Sequence, residues 1–417
     1  MSPSFAEIGV PADLATSLVQ RGITEPFAIQ AATIPDAMAG RDVCGKAPTG
    51  SGKTLAFGLP LVARIGKAKP RQPRALVLVP TRELAAQVAA ELKPLAALRG
   101  RSVAAFYGGT SYGPQRKALQ SGCTIVVACP GRLEDLIDNG DLTLAGVDRV
   151  VIDEADRMAD MGFLPVVQRL LDQVKPDRQT LLFSATLDGV IDGLVRRYQR
   201  DPVRHELETP EEATGDVQHR FWRVDRSERV TVTAQLLQRE WPAIVFCRTR
   251  HGADRVAAQL KNTGVDAVAI HGDRSQSQRE RALAAFKSGK AQALVATDVA
   301  ARGIHVDDVA CVVHFDPPAD SKDYVHRSGR TGRAGADGLV VSLVHTDVVS
   351  AVKNLQRKLG HPLGTTAPEL TGEPPARRVP TVPAPTPTPR HRPRPAASRS
   401  TRGPRQRSGA SRGRRRR

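Results

Sequence analysis

The chain has 417 residues, room for two to four domains at the usual ~100–200 residues each. Forty per cent of it is apolar and 25% charged, so a sizeable core can form, while 61 Lys+Arg against 43 Asp+Glu leave a net charge of +18. That balance points to a polyanionic partner, and no apolar run approaches the ~18 residues needed to cross a bilayer.

In chain order, the first signal is APTGSGKT (47–54), which follows a plausible strand and opens the helical pattern LAFGLPLVARI. Gly50 and Gly52 let backbone N–H groups approach phosphate oxygens, Lys53 can reach β/γ-phosphates, and Thr54 can ligate Mg²⁺. Ala47 stands where the general phosphate-loop pattern has its first glycine. Four short apolar runs follow: RALVLVP (74–80), CTIVVACP (123–130), RVVIDE (149–154) and QTLLFSAT (179–186). Runs of Val, Ile and Leu without polar alternation fit strands buried on both faces. Between the first two lies ELAAQVAAELKPLAAL (83–98), an amphipathic helical pattern. The third run leads straight into DEAD (153–156), placing carboxylates at the carboxyl end of a parallel strand, where such sheets bind ligands. There Asp153 would hold Mg²⁺, and Glu154 would orient or deprotonate an attacking water.

The acidic, Pro- and Gly-containing stretch ELETPEEATGDV (206–217) interrupts the series and reads as a linker. A second series then runs through PAIVFCRT (242–249), DAVAIHG (266–272), QALVATD (292–298) and ACVVHFD (310–316). GADRVAAQLKNTG (252–264) is a helix closed by glycine. No phosphate loop occurs in this half, but HRSGRTGRAG (326–335) holds Arg330 and Arg333 in a glycine-rich segment. Such arginines can stabilise charge on a phosphoryl group held by the first half, or they can form an RNA-binding Arg/Gly loop. Strand–helix alternation on this scale predicts parallel sheets covered by helices. The expected organisation is a first α/β domain over 1–205, the linker, a second over 218–360 and a tail over 361–417.

The charge is unevenly placed. No acidic residue follows Glu373, and residues 374–417 carry 14 Arg, no Lys and ten Pro, leaving the rest of the chain 47 basic against 43 acidic residues. With so few apolar residues the tail is expected to be disordered, an electrostatic arm for phosphates. The first residues, MSPSFAEIGV, lack the basic and apolar regions of a secretory signal. Five cysteines without a CxxC pair argue against a disulfide framework and a zinc site, so a reduced, cytoplasmic protein is expected. Aromatic residues, at 4%, are too few for recognition built on base stacking.

EPFAIQ (25–30), APTGSGKT, PTREL (80–84), Gly108-Gly109, PGR (130–132), DEAD, SAT (184–186), VFCRT (245–249), HGDRSQSQRE (271–280), TDVAARG (297–303) and HRSGRTGRAG occur in one order. In that order the chain resembles DEAD-box ATP-dependent RNA helicases of helicase superfamily 2 over about residues 1–360. The resemblance implies two tandem RecA-like domains, ATP and Mg²⁺ as cofactors, and RNA as a partner bound through its backbone. It implies a nucleotide pocket of Ala47, Pro48, Thr49, Gly50, Ser51, Gly52, Lys53 and Thr54, with Gln30 reading the adenine edge, Phe5 supporting that pocket and position 305 near the ribose. It assigns RNA contacts to Thr81, Arg82, Gly109 and Arg132 in the first domain and to Arg248, Gln276, Arg279 and Thr297 in the second. Ser184 and Thr186 would link the nucleotide to domain closure, and Asp298, Arg302 and His326 would work at the domain interface. Arg330 and Arg333 would be arginine fingers.

Four positions depart from the family pattern: Ile23 for an aromatic residue, Cys129 for Thr before PGR, Ser328 for Ile, and His305 for Asp. An imidazole can exchange a hydrogen bond but cannot mimic a carboxylate, so His305 is expected to weaken ATP binding in the closed state or make it pH-sensitive. The leading expectation is an RNA-stimulated ATPase that clamps, locally unwinds and releases short duplexes. A DNA-directed translocase and an ATPase-inactive RNA-binding scaffold are the alternatives, and RNA-processing or ribosome-assembly partners could be recruited through the tail.

Overall fold

The computed structural model describes residues 3–48, 50–207, 216–301, 306, 309–332 and 337–370. The first half contributes β1 (Val43–Lys46), β2 (Ala75–Leu78), β3 (Val103–Phe106), β4 (Ile125–Ala128), β5 (Arg149–Asp153), β6 (Gln179–Ser184) and β7 (Val203–Glu206). The second contributes β8 (Val217–Arg223), β9 (Ala243–Phe246), β10 (Ala267–Ile270), β11 (Ala293–Ala296), β12 (Cys311–His314) and β13 (Gly338–Val344). The helices of the first half are α1 (Ala12–Gln20), α2 (Ala28–Ala39), α3 (Lys53–Arg64), α4 (Arg82–Leu98), α5 (Tyr112–Gln120), α6 (Pro130–Asp138), α7 (Ala155–Asp160), α8 (Leu164–Asp172) and α9 (Gly189–Tyr198). Those of the second are α10 (Arg229–Leu237), α11 (Arg250–Asn262), α12 (Gln276–Lys287), α13 (Asp298–Ala301), α14 (Ser321–Ser328) and α15 (Val349–Leu359).

Every strand pairing within the two sheets is parallel. The first sheet runs β3-β4-β2-β5-β6-β1-β7 and the second β10-β11-β9-β12-β13-β8. Counted from its own first strand, each sheet has the order 3-4-2-5-6-1, and the first adds β7 as an edge. The apolar runs explain the layering. In β2, Ala75 and Val77 enter one core and Leu76 and Leu78 the other, because successive side chains leave opposite faces. In β9, Ala243 and Val245 separate from Ile244 and Phe246 in the same way. Both faces of each sheet are therefore covered, as strands without polar alternation require.

All eight apolar runs contain strands, and the three helical patterns fall on α3, α4 and α11. The sequence reading left out β3, β7, β8 and β13. Glu206 ends β7 and Val217 opens β8, so the ends of the expected linker belong to the sheets, and 208–215 lie outside the described residues. The expected tail also begins too early. Residues 361–370 lie against the second sheet: Thr366 bridges Trp222 on β8, and Arg220 pairs with Glu369 at 2.7 Å. The Gln356 side chain donates to Gly364 O and accepts from Gly364 N. The backbone groups on the outer side of β8 thereby gain partners that charge and proline content alone do not reveal. The Arg-rich segment lies outside the described residues. Four of the five cysteines are buried and unpaired, Cys129 is half-buried, and no described helix is long and apolar enough to cross a membrane.

Candidate active site at the carboxyl ends of the first sheet

The phosphate loop leaves β1 beside its neighbour β6, with Ala47 N donating to Ser184 O at 3.1 Å. Gly50 and Gly52 both have positive φ, 87° and 84°. At Gly52 a Cβ would also sit 2.4 Å from Gln30 Nε2 and 2.5 Å from a Phe27 ring carbon, so only glycine fits. Lys53 is buried, and its ammonium donates to Ala47 O and Pro48 O, each at 2.8 Å; Ser51 Oγ also donates to Pro48 O. Thr54 is half-buried at the start of α3. Gln30 is 2% exposed, and its amide is doubly engaged: Nε2 donates to Gly52 O at 2.9 Å and Oε1 accepts from Phe27 N at 3.0 Å. The Gln motif is thus tied to the phosphate loop, with Phe5 buried in the same core as Ile29.

Asp153 ends β5, and Glu154 follows with a left-handed backbone, φ 51°. Burial pushes Asp153 up to about 7; Lys53 opposes that shift, while Glu154 adds to it. Its Oδ1 accepts from Glu154 N at 3.0 Å. Glu154 Oε2 accepts from Arg157 Nη1 at 2.9 Å. Asp156 joins this loop to SAT: its N donates to Ser184 Oγ, and its Oδ2 accepts from Ala185 N, both at 3.2 Å. Ser184 is fully buried and Thr186 exposed.

The second sheet supplies the facing wall. Pro48, Lys53, Glu154, Asp156, Arg157, Asp160 and Ala185 line one cavity of about 210 Å³ together with Val325, His326, Gly329 and Arg330. Lys322 on α14 pairs with Asp160 on α7. Arg327 is 5% exposed and grips Asp298 with Nε and Nη2 at 2.6 and 2.7 Å, while Nη1 donates to Asp316 O at 2.8 Å. Asp298, expected at the domain interface, thus anchors α14 within the second half.

The residues expected to meet RNA divide by burial. Arg248 and Gly109 are exposed and Arg82 is half-buried; a Cβ on Gly109, whose φ is 77°, would sit against the Arg82 guanidinium. Thr81, Arg132, Gln276, Arg279 and Thr297 are all buried. Thr81 caps α4 by accepting from Leu84 N at 3.3 Å. Arg132 donates to Thr110 O and Gln115 Oε1 at 3.2 Å and stacks on Tyr112, 4.1 Å from the ring centre. Arg279 crosses between the halves to Glu83, Nε to Oε1 at 2.6 Å, with Gln276 Nε2 at 3.5 Å from the same oxygen. The sequence reading missed Glu83, Asp156, Arg157 and Arg327. Each sits inside or beside a quoted motif, but only the fold shows what it touches. Thr49, Arg302, His305 and Arg333 lie outside the described residues.

The described residues hold no cluster of three or more His, Cys, Asp or Glu able to bind a metal alone. Asp153, a buried carboxylate, and the half-buried Thr54 hydroxyl are instead oxygen donors of the kind Mg²⁺ takes when phosphates and water complete its shell.

Residues 27–193 match the DEAD/DEAH box helicase family, and 228–335 match the helicase conserved C-terminal domain. DEAD-box ATP-dependent RNA helicase 30 of Arabidopsis thaliana is 41% identical over 365 residues, 85% of this chain and 61% of the relative. ATP-dependent RNA helicase DBP2 of Meyerozyma guilliermondii is 41% identical over 352 residues, 82% of this chain, which spans 63% of that protein. The chain thus covers under two thirds of the length of these two relatives. It covers 76% of DEAD-box ATP-dependent RNA helicase CshA of Geobacillus kaustophilus, at 39% identity over 356 residues and 85% of its own length. Among solved structures, Saccharomyces cerevisiae Dbp5 bound to RNA and ADP BeF3 aligns with a TM-score of 0.74 at 27% identity, over 87% of this chain and 95% of that one. The two matched models, in motif order across two parallel sheets, and relatives near 40% identity agree: the chain belongs to the DEAD-box ATP-dependent RNA helicase family.

Proposed function

We propose that the chain is an RNA-stimulated ATPase that clamps RNA, separates short duplexes locally and releases them, without reading sequence. The observation that carries this reading is the shared cavity, where Lys53 and Glu154 from the first half meet His326 and Arg330 from the second. Such a site is complete only when the halves adjoin, so nucleotide turnover and domain closure are one event.

The phosphate loop and Lys53 hold the triphosphate, and Gln30 and Phe5 fix the base end. Glu154 takes the proton of the attacking water, which adds to the γ-phosphorus as the bond to the bridging oxygen breaks, giving ADP and phosphate. Arg330 offsets charge on the transferred group. Thr54 and Asp153 would hold Mg²⁺, which when bound neutralises phosphate charge and keeps Asp153 ionised. Asp156 passes the nucleotide state to SAT, where Ser184 and Thr186 link it to domain closure.

Arg248, Arg82 and the Gly109 backbone are placed to meet phosphates, which position RNA but carry no sequence information. The burial of Arg132 and Arg279 favours a supporting role for both, Arg132 holding the Gly108–Thr110 loop and Arg279 joining the halves through Glu83. The first domain would end at Glu206 and the second run from Val217 through residue 370. ATPase stimulation by single-stranded RNA against single-stranded DNA tests the reading. Equal stimulation by both favours a DNA translocase, and no turnover with any RNA favours a scaffold.

A further inference from the structure

Glu154 has a backbone conformation rare for any residue but glycine, at the first position after β5. Its carboxylate turns about a terminal torsion that is broad and nearly two-fold, so backbone geometry alone cannot aim it. One helical turn later, on the six-residue α7, Arg157 Nη1 lies 2.9 Å from Glu154 Oε2, with the two side chains 12% and 7% exposed. Both residues line the cavity with Lys53 and Arg330. Arg157 Nε and Nη2 are buried without a hydrogen-bond partner among the described residues. A guanidinium buried with two N–H groups unmet costs more than a partly buried ion pair returns, so stability does not account for it.

We propose that Arg157 is the positioning residue of the hydrolytic site: its guanidinium fixes the Glu154 carboxylate in the orientation that receives the proton of the attacking water. This rests on the role given to Glu154 above. Holding Oε2 stops the terminal torsion, and alignment of a base with its water is worth orders of magnitude in rate.

The test is steady-state RNA-stimulated ATPase of the full chain carrying Arg157→Gln or Arg157→Lys, with ADP affinity measured by titration. Arg157→Gln is expected to lower kcat about tenfold or more, with the KM for ATP and the ADP affinity within about twofold of wild type. Arg157→Lys, which keeps the charge but loses the planar fork, falls in between and serves if the Gln variant does not fold. Methylguanidinium should restore part of the rate of Arg157→Ala. In a Glu154→Gln background, Arg157→Gln should cost nothing further, because there is no base left to aim. A kcat within about twofold of wild type in Arg157→Gln, or in Arg157→Lys should the Gln variant not fold, overturns the inference. So does a fall matched by equal loss of ADP affinity, or an undiminished loss in the Glu154→Gln background. A Glu154→Gln enzyme as active as wild type would instead remove the hydrolytic reading beneath it.

Discussion

The two sheets share one strand order but bring different residue types to their facing edges. In the first, the loop after strand one is glycine-rich and ends in Lys53; after β8 the chain passes through Val224 to α10 with no glycine loop. The end of β5 and the crossover after it carry Asp153 and Glu154, whereas the corresponding crossover after β12 carries His326 and Arg330 on and after α14. These two equivalent crossovers face each other across the cavity and are joined by Asp160 and Lys322. A parallel sheet offers its carboxyl ends as a binding edge whatever the sequence; the loop residues decide whether that edge binds phosphate or completes a partner's site.

The largest expected effect tests whether the two crossovers form one site. Lys53→Ala, Glu154→Gln and Arg330→Ala should each lower the RNA-stimulated kcat by about a thousandfold or more, while RNA binding without nucleotide stays near wild type. An Arg330→Ala enzyme within about tenfold of wild type would make the second crossover a spectator. Next comes the charge that follows the second sheet. Deleting residues 374–417, with their 14 Arg, should flatten the dependence of log K on log salt, because each lost phosphate contact removes about 0.7 from the slope on single-stranded RNA. The rate at saturating RNA should be spared; a large fall would place the arm inside the engine.

The sheet centres and the phosphate chemistry are legible in the amino-acid sequence. β2, β4, β5, β6, β9, β11 and β12 are short unbroken apolar runs because helices cover both their faces, and β10, though an edge, keeps the same pattern. β7 and β8 are edges with charged residues, VRHE and VQHRFWR, and carry no such signal. β13 is apolar but emerges directly from the glycine-rich arginine segment, which reads as loop. The site residues were legible as types at fixed spacing. Burial was not: nothing in PGR or in SQSQRE says that Arg132 faces Thr110 O or that Arg279 crosses to Glu83. Those pairings depend on contacts 22 and 196 residues apart in the chain.

Acid should move the halves in opposite directions. In the first sheet, burial raises Asp153 to about 7 and also raises Asp42, so the folded form holds protons that the unfolded chain has already lost. Its stability therefore rises as pH falls from about 7 towards 4 in the absence of Mg²⁺. In the second sheet, burial lowers His219 to about 4 and takes His314 well below its usual 6.5. Here the unfolded chain takes up protons first; the contribution is fully present above about 6.5 and is lost as pH falls through 4. Trp222 and Trp241, the only tryptophans, both lie in the second half, so their fluorescence reports that sheet alone. Between pH 7.5 and 5.0 the tryptophan melting midpoint should fall while a circular-dichroism component without a tryptophan counterpart holds or rises. Equal downward shifts in both signals would break the asymmetry.

The smallest effect sits where the two sheets look most alike. Thr81 after β2 and Thr249 after β9 both cap the following helix, accepting from Leu84 N at 3.3 Å and Gly252 N at 3.0 Å. Losing such a cap costs about 0.5–2 kcal/mol. Thr81 is buried and Leu84 is 1% exposed, so the amide orphaned by Thr81→Ala has little access to water. Thr249 is exposed and Gly252 half-buried, and water can replace the lost acceptor there. Chemical denaturation should accordingly place Thr81→Ala near the upper end of that range and Thr249→Ala near the lower, with Ser at either position close to wild type. Equal losses would mean that the caps, unlike the loops around them, have not diverged between the two sheets.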